Sequence, residues 1–263
     1  MVKETPPRAD LPLEALSRAP ACSESDIPLF VKHLRRLSVT LAALIALAAP
    51  SAAPAAQPGV TLFGAQSAST TLPVINDLGA GWVKVFLDGT AVDGSNDLLL
   101  RQYADIFADY KAAGKKVIVI LTGTPGQSAS NVPPSDVDAW ASWAGSMARR
   151  FGPSVYGWMV WNEADGPRFW AGAPQPERYA QLLKKAYPKI KEGDPDAVVS
   201  FSPLTGGNAK FLSAAYDAGA GDSFDAVGVD MGTACNTTSP YSFMRDSVNG
   251  PIFFTSFLAY RNV

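Results

Sequence analysis

"VYGWMVWNEADGPRFW", residues 155–170, places three tryptophans, a tyrosine and a phenylalanine in sixteen positions and sets one Asn-Glu pair among them. From Val155 to Trp161 the stretch is an apolar run of strand length, and it ends at Asn162 and Glu163. A lone carboxylate therefore closes a run that a folded chain would bury. Working outward, runs of the same kind recur as "VTLFGA" from Val60, "WVKVFLD" from Trp82, "KVIVIL" from Lys116, "AVVSFS" from Ala197 and "FDAVGVD" from Phe224. Six short strands are predicted.

The segments between several of them carry a helical period. Leu99, Tyr103, Ile106 and Tyr110 give one apolar face, which Gly114 ends; Trp140, Trp143, Met147 and Phe151 give a second, between "PPSD" and Gly152. Tyr179, Leu182, Leu183, Ala186 and Ile190 form a third after Pro176 and Glu177, with a kink expected at Pro188, and Asn208 caps a fourth carrying Phe211, Leu212 and Ala215. Strands alternating with helices around a parallel sheet define an α/β protein. No loop holds the Gly-x-Gly-x-x-Gly or Gly-x-x-x-x-Gly-Lys pattern that cradles phosphate, so a dinucleotide-binding sheet loses to a (β/α)8 TIM-barrel type, and no cofactor is expected. An eight-unit barrel typically takes about 250 residues. Here about six β/α units are present, so the barrel is expected to be incomplete, with its last segment, "PIFFTSFLAYRNV", read as a loop entering a sixth helix.

Of the 263 residues 17% are charged and the net charge is −2, with no basic stripe, which argues against a nucleic-acid partner. Residues 1–30 are a Pro-rich preface without periodicity and are expected to lie upstream of the true start. Residues 31–56 read as a secretory signal: Lys32, Arg35 and Arg36, then thirteen largely apolar residues from Leu37 to Ala49, then the small-x-small Ala53-Pro54-Ala55. That run is shorter than the roughly 20 residues a membrane span needs, so export and release are expected, leaving residues 57–263 as one exported domain. That part holds 16 basic and 19 acidic residues. The sole histidine, His33, lies in the signal, so the exported part can build neither a Ser-His-Asp triad nor a histidine metal site. Of two cysteines, Cys22 lies in the preface and Cys235 stands alone, excluding an internal disulfide. The sequon at Asn236 is read as chance, and the oligomeric state is not legible.

Acid-base chemistry must then use carboxylates, Lys or Tyr. In a barrel the site forms at the C-terminal ends of the strands, where Glu163 falls. Beside Trp158 and Trp161 its charged form is poorly solvated, which suits a general acid, and Phe169 and Trp170 offer flat apolar faces for sugar rings. Asp88 and Asp230 also close strands, and Lys84 is a charge inside an apolar strand that needs a partner, with Asp88 one candidate. The bland alternatives stand beside these: a solvated loop glutamate, tryptophans that are core, and aspartates that cap helices.

Residues 157–207, "GWMVWNEADGPRFWAGAPQPERYAQLLKKAYPKIKEGDPDAVVSFSPLTGG", resemble secreted bacterial glycoside hydrolases of the cellulase-like (β/α)8 superfamily, whose fourth strand ends in Trp-Asn-Glu. "SFDAVGVDMGTAC", from Ser223, resembles their sixth strand. The resemblance implies a retaining hydrolysis of O-glycosidic bonds in a carbohydrate substrate. Glu163 would be the acid/base, Asn162 would bind the hydroxyl beside the anomeric carbon, and Trp161, Trp170, Lys84, Asp88 and Asp230 would line the substrate. It also implies a nucleophilic carboxylate on a seventh strand, which this chain is not expected to reach. "FFTSF" aligns with that strand's Thr-Glu-Phe only by placing Ser256 at the glutamate. Two further departures are Lys84 for the family's arginine and Asp230 for its histidine. Negligible or at most weak turnover is expected, with a non-catalytic, carbohydrate-binding relative or an inert fragment as the alternative.

Overall fold

The computed structural model describes residues 56–206 and 208–230. The preface, the signal segment up to Ala55, Cys235, Asn236, Ser256 and the segment from Pro251 lie outside the described residues. Each predicted run contains a strand: β1 (Gly59–Leu62), β2 (Trp82–Asp88), β3 (Lys116–Thr122), β4 (Gly157–Val160), β5 (Val198–Thr205) and β6 (Ala226–Asp230). They form one sheet in that order, every neighbouring pair parallel. Helices α1 (Ala68–Asp77), α2 (Asp97–Ala112), α3 (Val137–Phe151), α4 (Pro176–Gly193) and α5 (Ala209–Asp217) carry the chain from the end of one strand to the start of the next.

Local chemistry explains where the helices start. The side chains of Asn96, Asp136 and Asn208 accept the backbone N–H three residues on, from Leu99, Ala139 and Phe211, and so satisfy an otherwise orphan donor in α2, α3 and α5. Helix α4 opens instead on Pro176, whose missing N–H costs nothing in a first turn, and it runs on through Pro188. Helix α1 is the element the periodicity does not reveal. Its Ser-Thr-rich first turns and internal Pro73 weaken the apolar face, of which only Ala68 and Ile75 are buried.

The sheet is two-faced. In β2, Val83, Val85 and Leu87 are fully buried on the helix side, whereas Trp82, Lys84, Phe86 and Asp88 alternate with them and are only half-buried. On the helix side α3 and α4 meet closely at Gly145, where a Cβ would come within 2.7 Å of the Lys189 carbonyl. Trp140, Trp143, Met147, Leu182, Leu183 and Ala186 fill the rest of that layer.

The other face is concave. Neighbouring strands lie about 4.8 Å apart, so in a flat sheet β2 and β6, four strands distant, would be separated by roughly 19 Å. Instead Lys84 of β2 reaches Asp230 of β6, with Nζ 3.9 Å from Oδ1. Lower on the same face Trp82 of β2 meets Tyr156, just before β4, edge-on at 5.0 Å between ring centroids, with the Lys116 ammonium over both rings. The six strands are therefore a curled part of a (β/α)8 barrel. A closed barrel fills its interior with side chains; here a cavity of about 350 Å³ remains there, lined by Trp82, Ile118, Met159, Val198 and Gly228 among others.

The ladder between β4 and β5 ends early, at Met159 and Ser200. Beyond it β5 shifts register against β6 between Phe201 and Leu204, around Pro203, which has no N–H to give. Gly228 fits beside that shift because a Cβ would lie 2.9 Å from Pro203. Tyr179 of α4 bridges the gap: its hydroxyl donates to the Val160 carbonyl at 2.8 Å and accepts from the Ser202 N–H at 2.7 Å, and burial pushes its phenol well above the ordinary value. Replacing Tyr179 by Phe leaves a buried acceptor and a buried donor unpaired, each costing about 1–3 kcal/mol. The expected outcome is a urea midpoint lowered by roughly 3 kcal/mol equivalent without a change in slope, read by circular dichroism.

Candidate active site

Strand β4 ends in a sharp reversal. Trp161 and Glu163 have φ of 67° and 41°, and they are the non-glycine residues of the described chain with positive φ. A left-handed conformation costs a non-glycine residue about 1–3 kcal/mol, and such strain persists only where the surroundings over-determine it. Here they do. The Trp161 N–H donates to the Leu121 carbonyl at 2.8 Å, the Glu163 N–H to the Pro203 carbonyl at 3.1 Å, and the Ala164 N–H to the Ser202 hydroxyl at 3.1 Å. Asp165 finishes the stitching: one carboxylate oxygen accepts from the Thr205 N–H and the other from the Asn208 amide. The register shift in β5 is what presents the Pro203 carbonyl to Glu163.

The effect is to part the run of residues 161–163. Trp161 turns into the helix layer, where it is fully buried against Trp140 and Trp170 and its indole N–H donates to the Phe169 carbonyl at 2.7 Å. Glu163 turns to the concave side and is hydrogen-bonded to Asp230, which itself sits 3.9 Å from Lys84. Asn162 lies between them in sequence, 3% exposed, and its amide makes no hydrogen bond to the described residues. Burial, then the charge of Asp230 and its hydrogen bond, then the charge of Asp165, push the Glu163 carboxyl above its usual range against a smaller pull from Arg168.

The structure thus brings Glu163, Asp230 and Lys84 together, from the ends of β4 and β6 and from β2. Lys84 finds its partner in Asp230 and not in Asp88, the candidate within the described residues that the sequence suggested. Asp88 braces loops: it accepts from the Thr90 N–H and hydroxyl, both at 2.9 Å, through one oxygen and from the Ser130 hydroxyl through the other. Trp161 and Trp170, expected to line the substrate, lie in the helix layer. Trp170 is 1% exposed, packed edge-on between Trp161 and Tyr179, so neither indole has a face open to a ligand. The Trp170 ring nitrogen is buried without a partner, and the Arg178 guanidinium lies 5.8 Å from its ring. Its neighbour Phe169 is the aromatic that remains half-exposed, stacked on Phe86.

Sequence reasoning missed Phe86, Arg168 and Asp165 at this site. The signal for Phe86 was available: period-two alternation puts it on the face of Lys84. Among the described residues no group of three or more His, Cys, Asp or Glu is arranged to hold a metal ion.

No protein-family model matches the chain, and no curated protein does. Among solved structures it is similar to a family 39 glycoside hydrolase from the gut symbiont Bacteroides cellulosilyticus WH2, at 20% identity over 66% of this chain and 38% of that one, with a TM-score of 0.51. It is also similar to a GH30 endoxylanase from Clostridium papyrosolvens C71, at 17% identity over 65% of this chain and 48% of that one, with a TM-score of 0.52. At these identities the likeness is one of fold, that of the (β/α)8 barrel. This chain spans less than half the length of either.

The raised Glu163 pKa fixes the sign of a pH effect. Below the ordinary value of 4.5 the carboxyl is protonated in the folded and unfolded chain alike. Above it the folded chain keeps a proton that the unfolded chain has lost, so the stability present at low pH is lost as pH rises through the folded pKa. Glu163→Gln removes this titration. Urea unfolding between pH 4 and pH 8 is expected to show a flatter stability curve for the variant, with its advantage over the parent at the upper end.

Proposed function

We propose that the concave end of the sheet is a saccharide site built for cleaving O-glycosidic bonds, with Glu163 as its acid/base group. The observation that carries this reading is Glu163 itself. It is a carboxyl held on a strained turn at the C-terminal end of a barrel strand and made less acidic by burial and by Asp230. Such a group keeps a proton to higher pH than a free glutamate, which is what protonating a departing glycosidic oxygen needs. The carboxylate left behind can then take a proton from the incoming water. Asn162, nearly buried and without a side-chain hydrogen bond to the described residues, would meet the hydroxyl beside the anomeric carbon. The strand-four motif and the glycoside-hydrolase fold of the two similar structures support the same reading.

A retaining mechanism also needs a nucleophilic carboxylate about 5 Å from the acid. Of the two carboxylates that act on Glu163, Asp165 has both oxygens committed and Asp230 is already in hydrogen-bond contact, too near to admit an anomeric carbon between them. The place that the resemblance assigns to the nucleophile lies outside the described residues. Slow turnover by the chain as it stands is part of the proposal, as are export behind residues 31–56 and release from the membrane. Saccharide binding without cleavage is the second reading, and the closed Glu163–Asp230 contact favours it.

The test is the full chain on nitrophenyl β-glycosides, with and without azide as an external nucleophile. Slow nitrophenol release that azide accelerates is expected, together with a loss of about 100-fold or more in kcat/KM on Glu163→Gln for an unactivated β-1,4-linked oligosaccharide, whose departing oxygen needs a proton where nitrophenolate does not. Oligosaccharide cleavage unchanged by that substitution would remove Glu163 from the chemistry. Calorimetric binding of an oligosaccharide with no release at any azide concentration would select the second reading.

A further inference from the structure

Three phenylalanines that approach the site from separate segments form one stack. Phe63, immediately after β1, lies parallel to Phe86 of β2, with ring centroids 5.0 Å apart and planes 14° apart. Phe86 in turn stacks with Phe169, on the loop after β4, at 6.3 Å and 20°. Aromatic pairs in protein cores take edge-on and stacked arrangements alike, and edge-on contacts recur in the helix layer of this protein. The concave-side array is different because its rings share one orientation.

Its surroundings place it beside the carboxyl site. Phe86 lies two residues from Lys84 on the same face of β2, and Lys84 is the cation facing Asp230. Phe169 lies six residues after Glu163 on one loop, and the Arg168 guanidinium, whose charge acts on Glu163, sits 5.3 Å from the Phe169 ring. The far end is open: Phe63 is 66% exposed, the most exposed of the large apolar side chains described. One face of the Phe63 ring packs on Phe86, and the ring stands at the β1 edge of the sheet.

We infer that Phe63, Phe86 and Phe169 form a saccharide-binding subsite on the β1 side of Glu163. Its ligand is a pyranose ring with equatorial hydroxyls, whose axial C–H groups make a flat apolar face to lie on the aromatic end. Polar contacts come from the rim, where Arg168 and Lys84 stand. The inference rests on the reading of Glu163 as the reactive end of a saccharide site and names where the rest of the chain of sugars lies.

The test is calorimetric titration of the full chain with cellotriose and xylotriose, with β-1,4-galactobiose, which carries axial hydroxyls, as the comparison. Phe63→Ala is expected to weaken trisaccharide binding about tenfold, equivalent to about 1.4 kcal/mol. Phe63→Leu, which keeps apolar volume but loses the flat ring, is expected to lose as much, and Phe63→Trp to restore binding. Because the side chain is largely exposed, none of these variants is expected to move the melting temperature. Galactobiose is expected to bind more weakly than either trisaccharide and to respond less to Phe63→Ala. Trisaccharide binding that both Phe63→Ala and Phe63→Leu leave unchanged overturns the subsite while leaving the Glu163 reading intact. A parent chain that neither binds a saccharide nor cleaves one overturns both.

Discussion

A 3.9 Å contact between Lys84 and Asp230 is the constraint on which the concave side depends. The two residues sit on the second and sixth strands of an ordered parallel sheet, and only curvature lets them meet. The same curvature carries Glu163 from the fourth strand into contact with Asp230 and swings Phe169 over Phe86. An ion pair of this exposure adds little stability of its own. Its importance is positional, because it joins β2 to β6, and Asp230 in turn acts on Glu163 at the end of β4.

The cleft is held by backbone more than by side chains. Two residues in the left-handed region within three positions are costly, and the hydrogen bonds from residues 161, 163 and 164 to β3 and β5 offset that cost. Proline 203 is central to this. By lacking an N–H it breaks the β5 ladder, and its carbonyl is then free to receive the Glu163 N–H. Tyr179 closes the gap the break leaves behind. An interruption in one strand thus sets the orientation of the carboxyl on its neighbour.

The opposite consequence of that turn is that the tryptophans go to the helix layer. Trp140, Trp161, Trp170 and Tyr179 make a continuous run of ring contacts between the sheet and helices α3 and α4. This answers what an aromatic-rich strand end is doing beside a lone carboxylate. The indoles anchor the reversal from behind, in the helix layer. The concave face is left to phenylalanines that approach from β1, β2 and the loop after β4.

All six strands and four of the five helices were legible in the sequence, because apolar period and capping residues are local properties that burial only has to confirm. Helix α1 was not legible, since Pro73 and a Ser-Thr-rich start blur its period and tertiary packing of Ala68 and Ile75 decides it. Glu163 and Asn162 were legible as the end of a buried strand, and Lys84 as a charge in need of a partner. Which partner it has was not, because Asp88 and Asp230 look alike as strand-final aspartates and only the curl of the sheet separates them. Nor could the order Trp161, Asn162, Glu163 say which side chain faces the cleft: alternation assumes extended backbone, and two positive φ angles cancel it. The sequence by itself determined the strands, their order of burial and the chemistry at their ends. The tertiary structure decided which of those ends meet, because distance across a sheet depends on curvature and facing depends on turns, and both arise from contacts between residues far apart in the chain.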